Sequence, residues 1–139
     1  MSDDRGSTLP LILGFFLLAL LMIAGSVAAG DAFVQQRGLQ DVCDGAATAA
    51  AATAVEVGRG GDLARETALR FGNVKAAVAE YLSRDPDRVT VQTTVRLSTD
   101  RRTLELTCEQ TEHIAFGAMF GYGGGVHHLA TAGAEAFLS

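Results

Sequence analysis

The chain has 139 residues and a formal net charge of −5, with 48% hydrophobic and only 19% charged residues. Its mean hydropathy of +0.23 is high for a small soluble domain, so apolar residues must be concentrated somewhere. The length excludes a full doubly wound cofactor domain or a TIM barrel, and the apolar content excludes intrinsic disorder. A total of 16 acidic against 11 basic residues, with Lys75 the single lysine, argues against nucleic acid as a partner.

In chain order, the concentration comes first. Between Arg5 and Asp31 lie 25 residues without a charge, and residues 9–30 read LPLILGFFLLALLMIAGSVAAG. At 1.5 Å per residue such a helix spans about 33 Å, close to the roughly 30 Å hydrocarbon core of a bilayer. The segment therefore reads as one transmembrane helix, 9–30, behind a short cytoplasmic N-terminus, 1–8. Pro10 falls in the first turn, where a missing N–H is tolerated. Gly14, Ala19, Gly25, Ala28 and Ala29 are small residues of the kind that let a membrane helix pack laterally. The rival is a cleavable secretory signal, with Arg5 as its basic region and Ser26 and Ala28 as the small residues before the cut. Its apolar stretch would be about 17 residues, longer than the usual 7 to 15 or so, and two acids sit beside Arg5, which favours the anchor. Arg5 and the α-amino group on one side face only Arg37 on the other, so local charge orients the helix weakly. Either reading delivers the region after Asp31 outside the cytoplasm when the N-terminus stays in.

Past the apolar segment, Ala32, Gln36, Leu39, Cys43, Ala46, Ala50, Thr53 and Val57 recur at spacings of three or four. Gln35, Arg37, Gln40, Asp41, Asp44 and Glu56 fall mostly elsewhere on the wheel, so the helix is expected to continue as an amphipathic stalk. Residues 46–54, AATAAAATA, are strong helix formers with a thin profile that admits close neighbours. The glycines at 58, 60 and 61 break the pattern. Asp62 then offers an N-cap for a second helix carrying Leu63, Thr67, Phe71, Val74, Val78 and Leu82 on one stripe, with Glu66 and Arg70 spaced for an ion pair. The helical region outside the membrane is thus 31–84.

Residues 84–88, RDPDR, signal a turn, because Pro86 disfavours helix at Asp85 and the acids favour local backbone bonds. From Val89 the period becomes two: Val89, Val91, Thr93, Val95 and Leu97 share one face, and Leu104, Leu106 and Cys108 share one after a turn at 98–102. A β-hairpin packed on helices by its apolar face follows. His128, Ala130, Ala132, Ala134, Ala136 and Leu138 alternate as a weaker third strand. The region 85–139 therefore reads as antiparallel sheet interrupted by a glycine-rich loop, 121–125, and the fold class as α+β.

Cys43 lies on the apolar stripe of the stalk and Cys108 on the apolar face of the hairpin, so both point into one interface if those faces pack together. A bridge between them would close a loop of about 66 residues, which the chain-entropy argument values at roughly 4 kcal/mol. Two buried thiols acting as small hydrophobes are the alternative.

Signs of catalysis are sparse. His113, His127 and His128 are the only imidazoles, and adjacent strand residues face opposite ways, so at most one of the pair can join His113 at a metal. The glycines at 121–125 lack the Lys-Ser/Thr of a phosphate loop. Ser7, Ser26, Ser83, Ser98 and Ser139 have no identifiable base and orienting acid. Neither an enzyme, a cofactor nor a small-molecule substrate is expected. The stretch 114–120, IAFGAMF, is read either as core between sheet and helices or as an interaction patch of Ile114, Phe116, Met119, Phe120 and Tyr122 for a partner.

The N-terminal half carries a resemblance. Arg5-Gly6-Ser7 ahead of the apolar helix, then Leu39-Gln40 and Asp44-Gly45-Ala46-Ala47 after it, resemble the "RGS" opening and "LQ-x-x-x-D-A-A-A" stretch of TadE/TadG-like proteins of tight-adherence (Flp) pilus systems, in their actinobacterial style. The resemblance implies a membrane-anchored minor pilin-like or pseudopilin-like component, single-pass in the cell membrane with its C-terminal domain extracytoplasmic. Its implied partners are the lipid bilayer and other pilus or secretion-system subunits. A secreted small binding protein, released by signal cleavage, is the alternative. Prepilin processing, transferred from the wider pilin group, would cut between Gly6 and Ser7; Leu11 then stands at the fifth mature position, where that group has glutamate.

Overall fold

The computed structural model describes residues 8–58, 71–99 and 102–135. Helix α1 runs unbroken from Thr8 to Gly58, and α2 covers Phe71–Ser83. Three strands follow, β1 at Gln92–Leu97, β2 at Thr103–Glu112 and β3 at Val126–Glu135, forming one antiparallel sheet in the order β1-β2-β3. The expected α+β architecture is thus the observed one. The proposed start of the second helix at Asp62, with Leu63, Thr67 and the Glu66/Arg70 pair, lies outside the described residues, as do Arg59 to Gly61, Gly6, Ser7, Ala136 and Leu138.

The chain divides into two compact units. One comprises Gln35–Glu112 and His127–Ser139 and contains the hydrophobic core. Here Leu39, Cys43, Ala46, Ala47 and Ala50 of α1 and Val74 and Val78 of α2 meet Leu104, Leu106 and Cys108 of β2 and Ala130 and Ala132 of β3. The stalk stripe read from its 3.6-residue period is buried from Leu39 through Cys43 and Ala46 to Ala50, while the side chain of Val57 lies outside the described residues. Gly45 keeps the helix thin enough for α2 to come close, since a Cβ there would overlap the Tyr81 hydroxyl. Arg88 in turn stacks over the Tyr81 ring, 4.8 Å from its centroid.

The sheet obeys the alternation. In the β1–β2 register, Leu97 opposes Leu104, Val95 opposes Leu106 and Thr93 opposes Cys108 on the inner face. Arg96 opposes Glu105 on the outer face, an opposite-charge pair of the kind that stabilises a ladder by a few tenths of a kcal/mol or more. Strand β3 runs antiparallel to β2, with His127 against Glu109 and Gly133 against Leu104, and buries His128, Ala130 and Ala132 as its alternation predicts. Val89 is a correction. It lies outside β1 and is 68% exposed, because the turn at Pro86–Arg88 is a single 3₁₀ turn that ends by bonding the Val89 N–H to Pro86 O. Asp85 is extended, as the following proline demands, and its carboxylate accepts from Asp87 N.

The other unit comprises Met1–Val34 and His113–Val126. Its helical part is apolar all round, and its large side chains from Leu9 to Val27 are exposed on every face.

Candidate functional site

Two surfaces carry the functional argument, one in each unit. The first is the seam between α1 and β3. Cys43 and Cys108 form a disulfide with a Cα–Cα distance of 5.9 Å, and both residues are 0% exposed. The bridge expected from the two apolar faces is present, stapling α1 to the central strand. Closing a loop of sequence separation 65 withdraws roughly 4 kcal/mol of conformational freedom from the unfolded chain.

Two glutamines complete the seam. Gln36 Nε2 donates to Leu129 O at 2.7 Å, and Gln40 Nε2 donates to Thr131 O at 3.1 Å. One helical turn from residue 36 to 40 advances about 6 Å, and two strand residues advance about 6.7 Å, so the two periods coincide here. Among the described residues β3 is an edge strand, and the two glutamines bond carbonyls along it, covering backbone of the kind that invites pairing with another chain. Gln36 Oε1 also lies 3.1 Å from His128 Nδ1. The pattern reading placed Gln40 on the solvated side; what marks its role is the i,i+4 pairing with Gln36 beside a strand of small residues.

The second surface is the loop 113–125 and the helix it packs on. Asp31 Oδ2 accepts from Ala115 N at 2.8 Å, and the Phe120 ring lies 3.8 Å from where a Cβ of Gly25 would stand. Both contacts fall within the one unit. The loop is internally bonded: Gly117 N donates to Ile114 O, Met119 N to Phe116 O, Tyr122 N to Gly117 O and Gly125 N to Tyr122 O, at 2.8–3.0 Å. Gly121 and Gly125 take positive φ angles of 87° and 92°, open to glycine without strain. Phe116 does so without that freedom, at φ 59°. Of the residues singled out as core or patch, Ile114 is half-buried, while Phe116, Met119, Phe120 and Tyr122 are exposed, Met119 by 70%.

The histidines are dispersed. His128 is buried beside Gln36, His127 faces outward with Nε2 3.7 Å from Glu109 Oε2, and His113 belongs to the other unit. Among the described residues, no three His, Cys, Asp or Glu side chains converge as metal ligands.

In comparison with known proteins, residues 6–53, about a third of the chain, match the family model described as Flp pilus-assembly TadE/G-like. The matched segment ends inside the buried alanine stretch of α1 and contains Gln36, Leu39, Gln40 and Cys43, the residues that dock onto the sheet. No curated protein and no solved structure matches the chain.

Proposed function

We propose that this protein is a membrane-anchored, minor pilin-like or pseudopilin-like subunit that assists assembly of a tight-adherence pilus or a related secretion filament. Its role is structural. Residues 1–8 remain in the cytoplasm, 9–30 cross the bilayer once, and the helical and sheet regions, 31–84 and 85–139, lie outside, where they contact other subunits. The observation that carries the reading is the contrast in α1 between side chains exposed on all sides up to Val27 and a single buried stripe beyond Leu39. A helix that is apolar all round finds its low-energy environment in lipid or in a large core, and the described residues build no core around this one, whose apolar window is almost wholly exposed. The disulfide supports export, since such bridges persist in oxidising compartments.

Anchoring is favoured over a cleaved signal by continuity. The helix passes through Ser26 and Ala28 without a break, and removal of residues up to Ala28 would delete Gly25, on which Phe120 packs. Alkaline carbonate extraction followed by intact-mass measurement tests the proposal. Retention in the membrane at full length, or six residues shorter after processing between Gly6 and Ser7, is the expected result. A soluble product about 28 residues shorter would replace the anchor by the secreted binding protein. Deletion of the gene should abolish or shorten the filament, and a normal filament would overturn the assembly role.

A further inference from the structure

The loop 113–125 packs on the apolar segment of α1 rather than standing free, and its height along the helix follows from its two contacts. Ala115 is held at Asp31, the first charged residue after the 25 uncharged ones, and Phe120 sits at Gly25, six residues deeper. Six helical residues correspond to about 9 Å. With Asp31 at the water boundary, the exposed aromatic rim lies within the roughly 5–10 Å layer where interfacial apolar groups settle beneath lipid headgroups. We propose that this loop is a second membrane contact, seated in the outer-leaflet headgroup and upper acyl region of the bilayer that holds α1. The proposal rests on the reading that α1 crosses that bilayer.

Three further observations fit lipid as the occupant. No charged side chain occurs in the 13 residues between His113 and His127, so no charge in the loop resists leaving water. Six of its backbone N–H groups, those of Ala115, Gly117, Met119, Gly121, Tyr122 and Gly125, are turned inward onto its own carbonyls or onto Asp31, which lowers the cost of taking irregular backbone out of water. The exposed residues are Phe116, Met119, Phe120 and Tyr122, and Tyr122 adds the amphipathic ring, apolar body and polar tip, that favours the membrane–water interface. The patch is continuous, through the Phe120–Gly25 contact, with the helix surface that faces lipid. Seated in this way, the loop fixes the height and rotation of the helix in the bilayer.

The chain has no tryptophan, so a single substitution provides a unique fluorescent reporter. Full-length Met119→Trp, Tyr122→Trp and Leu17→Trp, each verified to retain the disulfide, are reconstituted at low protein-to-lipid ratio into phosphatidylcholine/phosphatidylglycerol vesicles. The vesicles carry a quencher on the lipid chain either near the headgroup or near the chain end. Met119→Trp and Tyr122→Trp should show blue-shifted emission and lose most of it to the headgroup-proximal label, whereas Leu17→Trp should lose most to the chain-end label. If Leu17→Trp is quenched but both loop reporters emit as in water and escape both labels, the loop proposal is overturned and the anchor stands. Blue-shifted loop emission that escapes both labels and reverts on dilution with lipid would assign the patch to a second copy and equally overturn it. Failure to quench Leu17→Trp would remove the anchor and the loop proposal together.

Discussion

The same helix behaves as two materials. Between Leu9 and Val27, α1 exposes leucine, isoleucine, phenylalanine and methionine in every direction, whereas between Leu39 and Ala50 it buries cysteine and alanine along one stripe. Leu39 apart, the large apolar side chains of the helix are exposed and the small ones of its core stripe are buried, the reverse of what one aqueous solvent would select. The difference teaches that α1 answers to two environments. One segment requires apolar bulk on all faces, and the other requires a thin face onto which a sheet and a second helix can close.

Changes that break the sheet-facing half should have the largest effects on folding. The double substitution Cys43→Ser and Cys108→Ser should lower the stability of the Gln35–Glu112 unit by about 4 kcal/mol, a large share of the 5–15 kcal/mol or so typical of a domain. Denaturant midpoints with and without reductant check this. A wild type indifferent to reductant would remove the staple from the account. Next comes Ala50→Leu, which forces bulk into a 0% exposed site and should cost about 1–3 kcal/mol, while Leu17→Ala should leave the same unfolding transition unchanged. Equal effects from the two would erase the contrast.

Much of this was legible beforehand, for reasons that differ by element. The strands and the Cys43–Cys108 pairing were readable because strand alternation and helix periodicity assign each side chain a face. Even the alanine-rich β3 kept its phase. Val89 misled because a two-residue period continues through a 3₁₀ turn without leaving a mark in composition. The packing of Phe120 on Gly25 and of Gln36 and Gln40 on β3 was hidden, since these residues are about 90 positions apart in sequence and neither contact imposes a period. Glutamine on a helix ordinarily faces water, and here the backbone carbonyls of β3 give it a task.

Smaller effects sharpen the picture of that edge. Gln40→Ala should cost about 1 kcal/mol by releasing the Thr131 carbonyl, and should raise amide exchange along β3 more than along β1. Arg84→Ala should be the weakest change. Its partner Glu80 is 2.7 Å away but both side chains are two-thirds exposed, so thermal unfolding should shift by no more than about 0.5 kcal/mol equivalent.

The two-environment account of α1 is tested most directly by a nitroxide amino acid scanned along residues 9–53 of the full-length protein in lipid vesicles, recording accessibility to oxygen and to a polar relaxation agent. High oxygen and low polar accessibility on all faces up to Val27, giving way beyond Leu39 to a 3.6-residue alternation in which Ala46 and Ala50 are closed to both, is the result predicted. Polar accessibility recurring with a helical period between Leu9 and Val27 would contradict it.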